Sequence, residues 1–232
     1  GWFDSDKIRF RKGRPEKIGG WTKYTETSFL GVCRSIHAWA SLAAVKFVGL
    51  GTNLKFYVVE GVKPNDITPL RATTSAGDVT FSATNGSSTV TVTDTNHGAA
   101  QNDFVTFSDA VSLGGTITAA VLNQEYQIAA ISTANAYTIT AKDTSGDAVT
   151  ANASDSGNGG SAVVGAYQIT TGLNTYVSAS GWGADPWGDD SWGSGSALGV
   201  AGQLRLYSQD NFGEDLIFNV RNGGIYYWDQ SS

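Results

Sequence analysis

The chain has 232 residues and 24.3 kDa, with 15 Lys+Arg against 21 Asp+Glu for a net charge of −6, 29 Gly, one Cys and no Met. A chain of this length buries enough apolar surface to fold without disulfides or a metal, and no apolar run reaches the roughly 18 residues of a membrane-spanning helix. High glycine, few charged residues and no sustained 3.6-residue hydrophobic period argue against a helical protein and predict an all-β fold.

The net charge conceals a polarity along the chain: +6 over residues 1–71, −7 over 72–171 and −5 over 172–232. Composition shifts at the same places, so three segments are expected, 1–71, 72–171 and 172–232. In the first, Lys7, Arg9, Arg11, Lys12, Arg14 and Lys17 carry most of the positive charge. The alternation Lys7-Ile8-Arg9-Phe10-Arg11 has period two and predicts a strand with one apolar and one basic face. That basic face is a candidate contact for phosphate, for the acidic 172–232 segment or for a neighbouring subunit; a solvated strand face is the plainer alternative.

Further along, Cys33 follows Leu30-Gly31-Val32 and is expected to be a small buried hydrophobe. His37, between Ile36 and Ala38-Trp39, is expected in the core or at an interface. Val45–Leu50 and Leu54–Val59 read as a hairpin turning at Gly51-Thr52-Asn53, residues that tolerate positive φ.

Residues 72–171 are rich in Thr, Ala, Ser and Gly and contain one Lys and no Trp. Strand-like runs at Thr89–Val92, Asp103–Phe107, Glu125–Ile128 and Ala136–Thr140, separated by turns, predict a small β-barrel or sandwich inserted between two sheet segments. His97 in Thr95-Asn96-His97-Gly98 reads as a turn residue, and Asp155–Ser161 as the insert's flexible exit.

The third segment opens with a loop in which Trp182, Trp187 and Trp192 recur every five residues, each followed by Gly. That spacing fits neither strand nor helix, so the tryptophans are expected to anchor an ordered loop on a sheet or a neighbouring chain. A second hairpin follows, Leu216–Val220 and Ile225–Asp229 around Arg221-Asn222-Gly223-Gly224. Aligned without gaps it places Phe218 on Phe47 and Tyr227 on Phe56, which predicts a repeated sheet unit of the propeller-blade kind.

No catalytic signature is present. The chain lacks a G-x-S-x-G elbow, a dinucleotide fingerprint and a Walker loop, and His37 and His97 have no ligand partners at zinc spacing. Asp185, Asp189 and Asp190 do not follow the alternation of an EF-hand loop. No enzyme activity, cofactor or metal is expected.

The opening Gly1-Trp2-Phe3-Asp4, the run Ile8–Trp21, the stretch His37-Ala38-Trp39, the hairpin Gly51–Tyr57, the Trp-Gly loop and the ending Asp210–Leu216 with Tyr226-Tyr227-Trp228-Asp229 resemble the tail nozzle or packaged-DNA stabilisation proteins of short-tailed bacteriophages. The insert, through Thr95–Gly98, Asp103–Phe107, Leu122–Tyr126 and Asn135–Ile139, is similar to a small β-barrel module of phage structural proteins related to a domain of ubiquitin-activating enzymes. The resemblance implies partial propeller blades interrupted by the inserted domain, in a virion subunit. It also implies a ring of identical subunits, expected to be hexameric, contacting adaptor or portal proteins, enclosing double-stranded DNA and retaining the genome until ejection. Members of that family are longer, so with the missing Met the sequence is expected to be part of a longer tail protein. The competing expectation is an adhesin for carbohydrate or cell surfaces, with Trp182, Trp187 and Trp192 stacked on sugar rings.

Overall fold

The structure, a computed structural model, describes residues 6–170, 172 and 204–231, and in them the protein is all-β with antiparallel sheets. Strands β1 (Ile8–Arg11) and β2 (Arg14–Lys17) form a two-stranded hairpin. Its two-residue turn, Lys12-Gly13, has φ of 50° and 75°, the doubly positive geometry whose twist matches a tight hairpin. Strands β3 (Cys33–Ala40), β4 (Lys46–Thr52), β5 (Phe56–Glu60) and β6 (Lys63–Asp66) pair in chain order as a four-stranded sheet. Pro64 is tolerated in β6 because that strand is an edge.

The middle of the chain builds two sheets around one core. Its elements are β7 (Leu70–Thr73), β8 (Thr80–Ala83), β9 (Thr89–Thr93), β10 (Phe104–Ser108), α1 (Ala119–Leu122), β11 (Glu125–Gln127), β12 (Ala130–Thr133), β13 (Ala136–Thr140), β14 (Asp155–Asn158) and β15 (Val164–Gln168). One sheet runs β11-β10-β15-β7 and the other β12-β13-β9-β8-β14. Period-two alternation turns Phe81, Val90, Val92, Tyr137 and Ile139 of one sheet and Val105, Phe107, Tyr126 and Tyr167 of the other into a shared apolar interior. Thr118 caps the one-turn helix by accepting from the Val121 amide. The layer closes at its neck, where β7 and β15 pair antiparallel with Leu70 opposite Gln168.

Strands β16 (Tyr207–Phe212), β17 (Asp215–Val220) and β18 (Ile225–Trp228) form a three-stranded sheet. Its inward face, Tyr207, Leu216, Phe218, Val220, Tyr226 and Trp228, packs on Trp39, Phe47, Phe56 and Val58 of the four-stranded sheet. The Phe56 and Phe218 rings stack at 3.9 Å with planes 5° apart, and Trp228 meets Phe47 edge-on at 5.7 Å. Close approach requires glycine on β4: a Cβ on Gly51 would intrude into the Tyr207 ring. The opposite face of the same sheet, Leu50, Tyr57 and Val59, is covered by Phe29. Three layers therefore stack in the order Phe29 segment, β3–β6, β16–β18.

Several local expectations change. Cys33 is exposed, because it begins an edge strand and its apolar neighbours Leu30 and Val32 are exposed as well. The β4–β5 turn uses no positive φ at Gly51, Thr52 or Asn53. The Thr52 hydroxyl organises it instead, accepting from the Leu54 and Lys55 amides at 3.2 and 2.8 Å and donating to the Lys55 carbonyl. Residues 155–158, expected as a flexible exit, form β14 and pair with β8. The two hairpins are not a register-true repeat: Phe47 pairs across with Glu60 and Phe218 with Tyr226. They meet face to face as successive layers.

Candidate functional site

Three groups of polar side chains stand out, beginning with the basic hairpin. Residues directly opposite in an antiparallel pair share a face, so the register Ile8↔Lys17, Arg9↔Glu16, Phe10↔Pro15 and Arg11↔Arg14 puts Ile8, Phe10, Pro15 and Lys17 on one side and Arg9, Arg11, Arg14 and Glu16 on the other, and Lys17 lies off the expected basic face. Arg9 pairs with Glu16 at 3.3 Å, and Lys7 with Asp6 at 3.4 Å. Arg11 and Arg14 face each other as like charges, with Lys12 at the turn between them. Among the described residues the hairpin contributes to no buried apolar cluster, and Phe10 and Ile18 are half exposed while Trp21 is wholly exposed. Trp182, Trp187 and Trp192, with Asp185, Asp189 and Asp190, lie outside the described residues.

The second group is buried where the middle layer meets the sheet stack. Lys55, held by the Thr52 turn and 1% exposed, directs its Nζ to Asp66 Oδ2 of β6 at 2.6 Å and to Glu125 Oε1 of β11 at 2.5 Å. The same ammonium lies 4.4 Å from the centre of the Phe104 ring, and the Gln168 amide donates to Glu125 Oε1 at 2.8 Å. One cation thus ties the β4–β5 turn to β6 and to two strands of the middle layer, β10 and β11. Beside it Arg205, 3% exposed, donates to the Leu54 carbonyl and lies over the Tyr207 ring. Burial lowers the Arg205 pKa, with Tyr207 and Asp103 opposing that change. Burial likewise pushes the Tyr207 hydroxyl up to about 12, and Arg205 counters it.

The third group lies inside the middle layer. Tyr137 and Tyr167 share a 2.8 Å hydroxyl hydrogen bond, and Tyr167 donates to Asp94 at 2.6 Å. Arg71 lies over the Tyr167 ring at 4.9 Å and donates to the His97 carbonyl. His97 is buried rather than a simple turn residue: its Nδ1 accepts from the Ala99 amide, which leaves Nε2 to donate to the Thr133 carbonyl. Burial, first of all, raises the pKa of both tyrosines well above that of a free phenol. With the Arg71 guanidinium over one ring and the Asp94 carboxylate accepting the terminal hydrogen bond, this network ties the neck strands to β9 and β13.

His37 sits between sheets, its Nε2 3.3 Å from Asn211 Oδ1 and 3.5 Å from Asp210 Oδ1 on β16. The Lys55 cluster went unread in the sequence; the signal available was a lone cation, Lys55, between Leu54 and the run Phe56-Tyr57-Val58-Val59. Among the described residues no group of three or more His, Cys, Asp or Glu is placed to hold a metal ion, and no helix is long and apolar enough to cross a membrane.

No family model matches the chain, and no curated protein matches it. Among solved structures it is similar to the phage phi92 endosialidase, at 18% identity and a TM-score of 0.30, over 67% of this chain and 21% of that one. The chain spans about a fifth of that protein's length.

Proposed function

We propose that this chain is a non-catalytic structural subunit of a bacteriophage tail, of the nozzle or hub kind that its sequence resembles. In this reading identical copies form a ring, expected to be hexameric, beneath adaptor or portal proteins and around the channel that holds and releases double-stranded DNA. The observation that carries the reading is the β1–β2 hairpin. A two-stranded ribbon without further packing is marginal in water, and among the described residues this one adds none to a buried cluster, while Ile18 and Trp21 just beyond it are exposed. A segment built in that way is stabilised by a partner. The acidic 72–171 and 172–232 segments, at −7 and −5, suit a lumen that repels DNA enough to let it slide.

Native mass spectrometry and electron microscopy of the purified chain test this reading, with closed multi-subunit rings as the expected result. A channel wall formed by the Lys7–Lys17 hairpin would count against the acidic-lumen part. A monomer that binds glycans, and loses that binding on Trp182→Ala, Trp187→Ala and Trp192→Ala, would replace the structural reading with the adhesin. Glycoside turnover by the purified chain would replace it with an enzyme.

A further inference from the structure

The sheet stack has unlike ends. At one end the four-stranded sheet is covered by the segment carrying Phe29, which the basic hairpin precedes in the chain. At the other end lies the outward face of β16–β18. Alternation with the buried residues Leu216, Phe218 and Val220 puts Asp215, Ile217 and Asn219 of β17 on that face. The pairing register brings Asp210 and Tyr227 beside Ile217, and Phe212 beside Asp215. The face is therefore mixed acidic and apolar: Phe212, Ile225 and Tyr227 are 68%, 75% and 57% exposed, and the Asp210 side chain is 85% exposed.

We propose that the β1–β2 hairpin of one copy docks on this outward β16–β18 face of a second copy, in a head-to-tail contact. The inference rests on the assembly reading above and names the surfaces that carry it. Charge and apolarity are matched on the two sides. The hairpin's Arg11↔Arg14 pair and Lys12 concentrate like charge that its own Glu16, engaged by Arg9, does not offset. Asp210, 85% exposed, and Asp215, which accepts from the Tyr227 hydroxyl and the Gln230 amide, supply the opposite sign on the acceptor. Ile18 and Trp21 supply apolar area to meet Phe212, Ile225 and Tyr227. Duplex DNA would neutralise the arginines but leave both sets of apolar side chains in water. Because donor and acceptor are different surfaces, the contact is heterologous and propagates from copy to copy until a rotation closes it into a ring.

The test uses the full chain. A photoreactive phenylalanine analogue in place of Trp21, in a mixture of isotopically light and heavy copies, is expected to give light–heavy crosslinks to peptides within residues 207–228. Arg9→Glu/Arg11→Glu/Arg14→Glu, on a hairpin outside the buried clusters of the described residues, is expected to weaken self-association about tenfold or more. Mixing it with an Asp210→Lys/Asp215→Lys chain is expected to restore association. Assembly that persists with crosslinks elsewhere overturns this contact and leaves the assembly reading standing. Loss of duplex-DNA binding in the arginine variant with unchanged particle mass makes the hairpin a nucleic-acid contact and overturns the proposal. A wild-type chain that stays monomeric at every concentration removes the assembly reading as well.

Discussion

Replacing Lys55 by Met keeps most of the side chain's volume and removes the charge shared by Asp66 and Glu125 across the joint between the middle layer and the sheet stack. Two charge-assisted hydrogen bonds disappear, at 2.6 and 2.5 Å, each worth about 1.5–3 kcal/mol, together with an ammonium–ring contact of about 1–2 kcal/mol at a desolvated site. Against this stand the cost of burying the ammonium and the water that reaches the carboxylates, whose side chains are 34% and 35% exposed. The net expected loss is about 2–4 kcal/mol, which for a chain of this size lowers Tm by about 5–15 °C. Differential scanning calorimetry and urea titration measure it. The triple variant Lys55→Met/Asp66→Asn/Glu125→Gln should regain most of the loss, because removing all the charges leaves none unpaired. A Lys55→Met protein as stable as wild type, or a triple variant no better than the single one, would refute the argument that pairing at this joint stabilises the fold.

Gly51→Ala forces the added methyl against the Tyr207 ring and should cost about 1–3 kcal/mol by overpacking, read as a lower urea midpoint. Tyr167→Phe removes the hydroxyl linking Tyr137 to buried Asp94 and should cost about 1–3 kcal/mol in the same titration. Alkaline pH should unfold the protein cooperatively. The Tyr207 pKa is raised by folding from 10 to about 12, so its contribution, about 3 kcal/mol, is complete below pH 10 and lost as pH rises through 12. Buried Tyr137 and Tyr167 act in the same direction, and tyrosinate absorbance should rise together with the loss of circular dichroism. Phe218→Ala, which empties the stack against Phe56, should cost about 3–5 kcal/mol.

Strands with a strong alternating pattern were legible: β9 as Thr-Val-Thr-Val-Thr, β13 as Ala-Tyr-Thr-Ile-Thr, and the apolar β4 and β17. What escaped reading depends on the backbone more than on side chains. Strand β14 is Asp-Ser-Gly-Asn and has no apolar residue, so its pairing with β8 leaves no hydrophobic trace. Strand β6, Lys-Pro-Asn-Asp, has the composition of a turn and is a strand because β5 offers it an edge. The first strand of the basic hairpin is legible from the period-two alternation of residues 7–11, which needs only neighbours in sequence, whereas its partner β2 carries no such pattern. The Lys55 cluster is not legible, since Asp66 and Glu125 stand 11 and 70 residues away, and no local pattern encodes a meeting at that distance. Cys33 is exposed against the expectation because an apolar local sequence does not distinguish an edge position from a central one.

The neck formed by β7 and β15 has a bearing on how such a chain can diversify. With Leu70 opposite Gln168, the polypeptide leaves the sheet stack and returns to it at neighbouring positions, so everything between them is, to the two flanking sheets, one long hairpin loop. A short turn or a different folded cassette could be spliced across that gap without moving Phe56 off Phe218. The constraint on any replacement is chemical rather than geometric. It must present a carboxylate where Glu125 now stands, or come with a smaller, neutral residue at position 55.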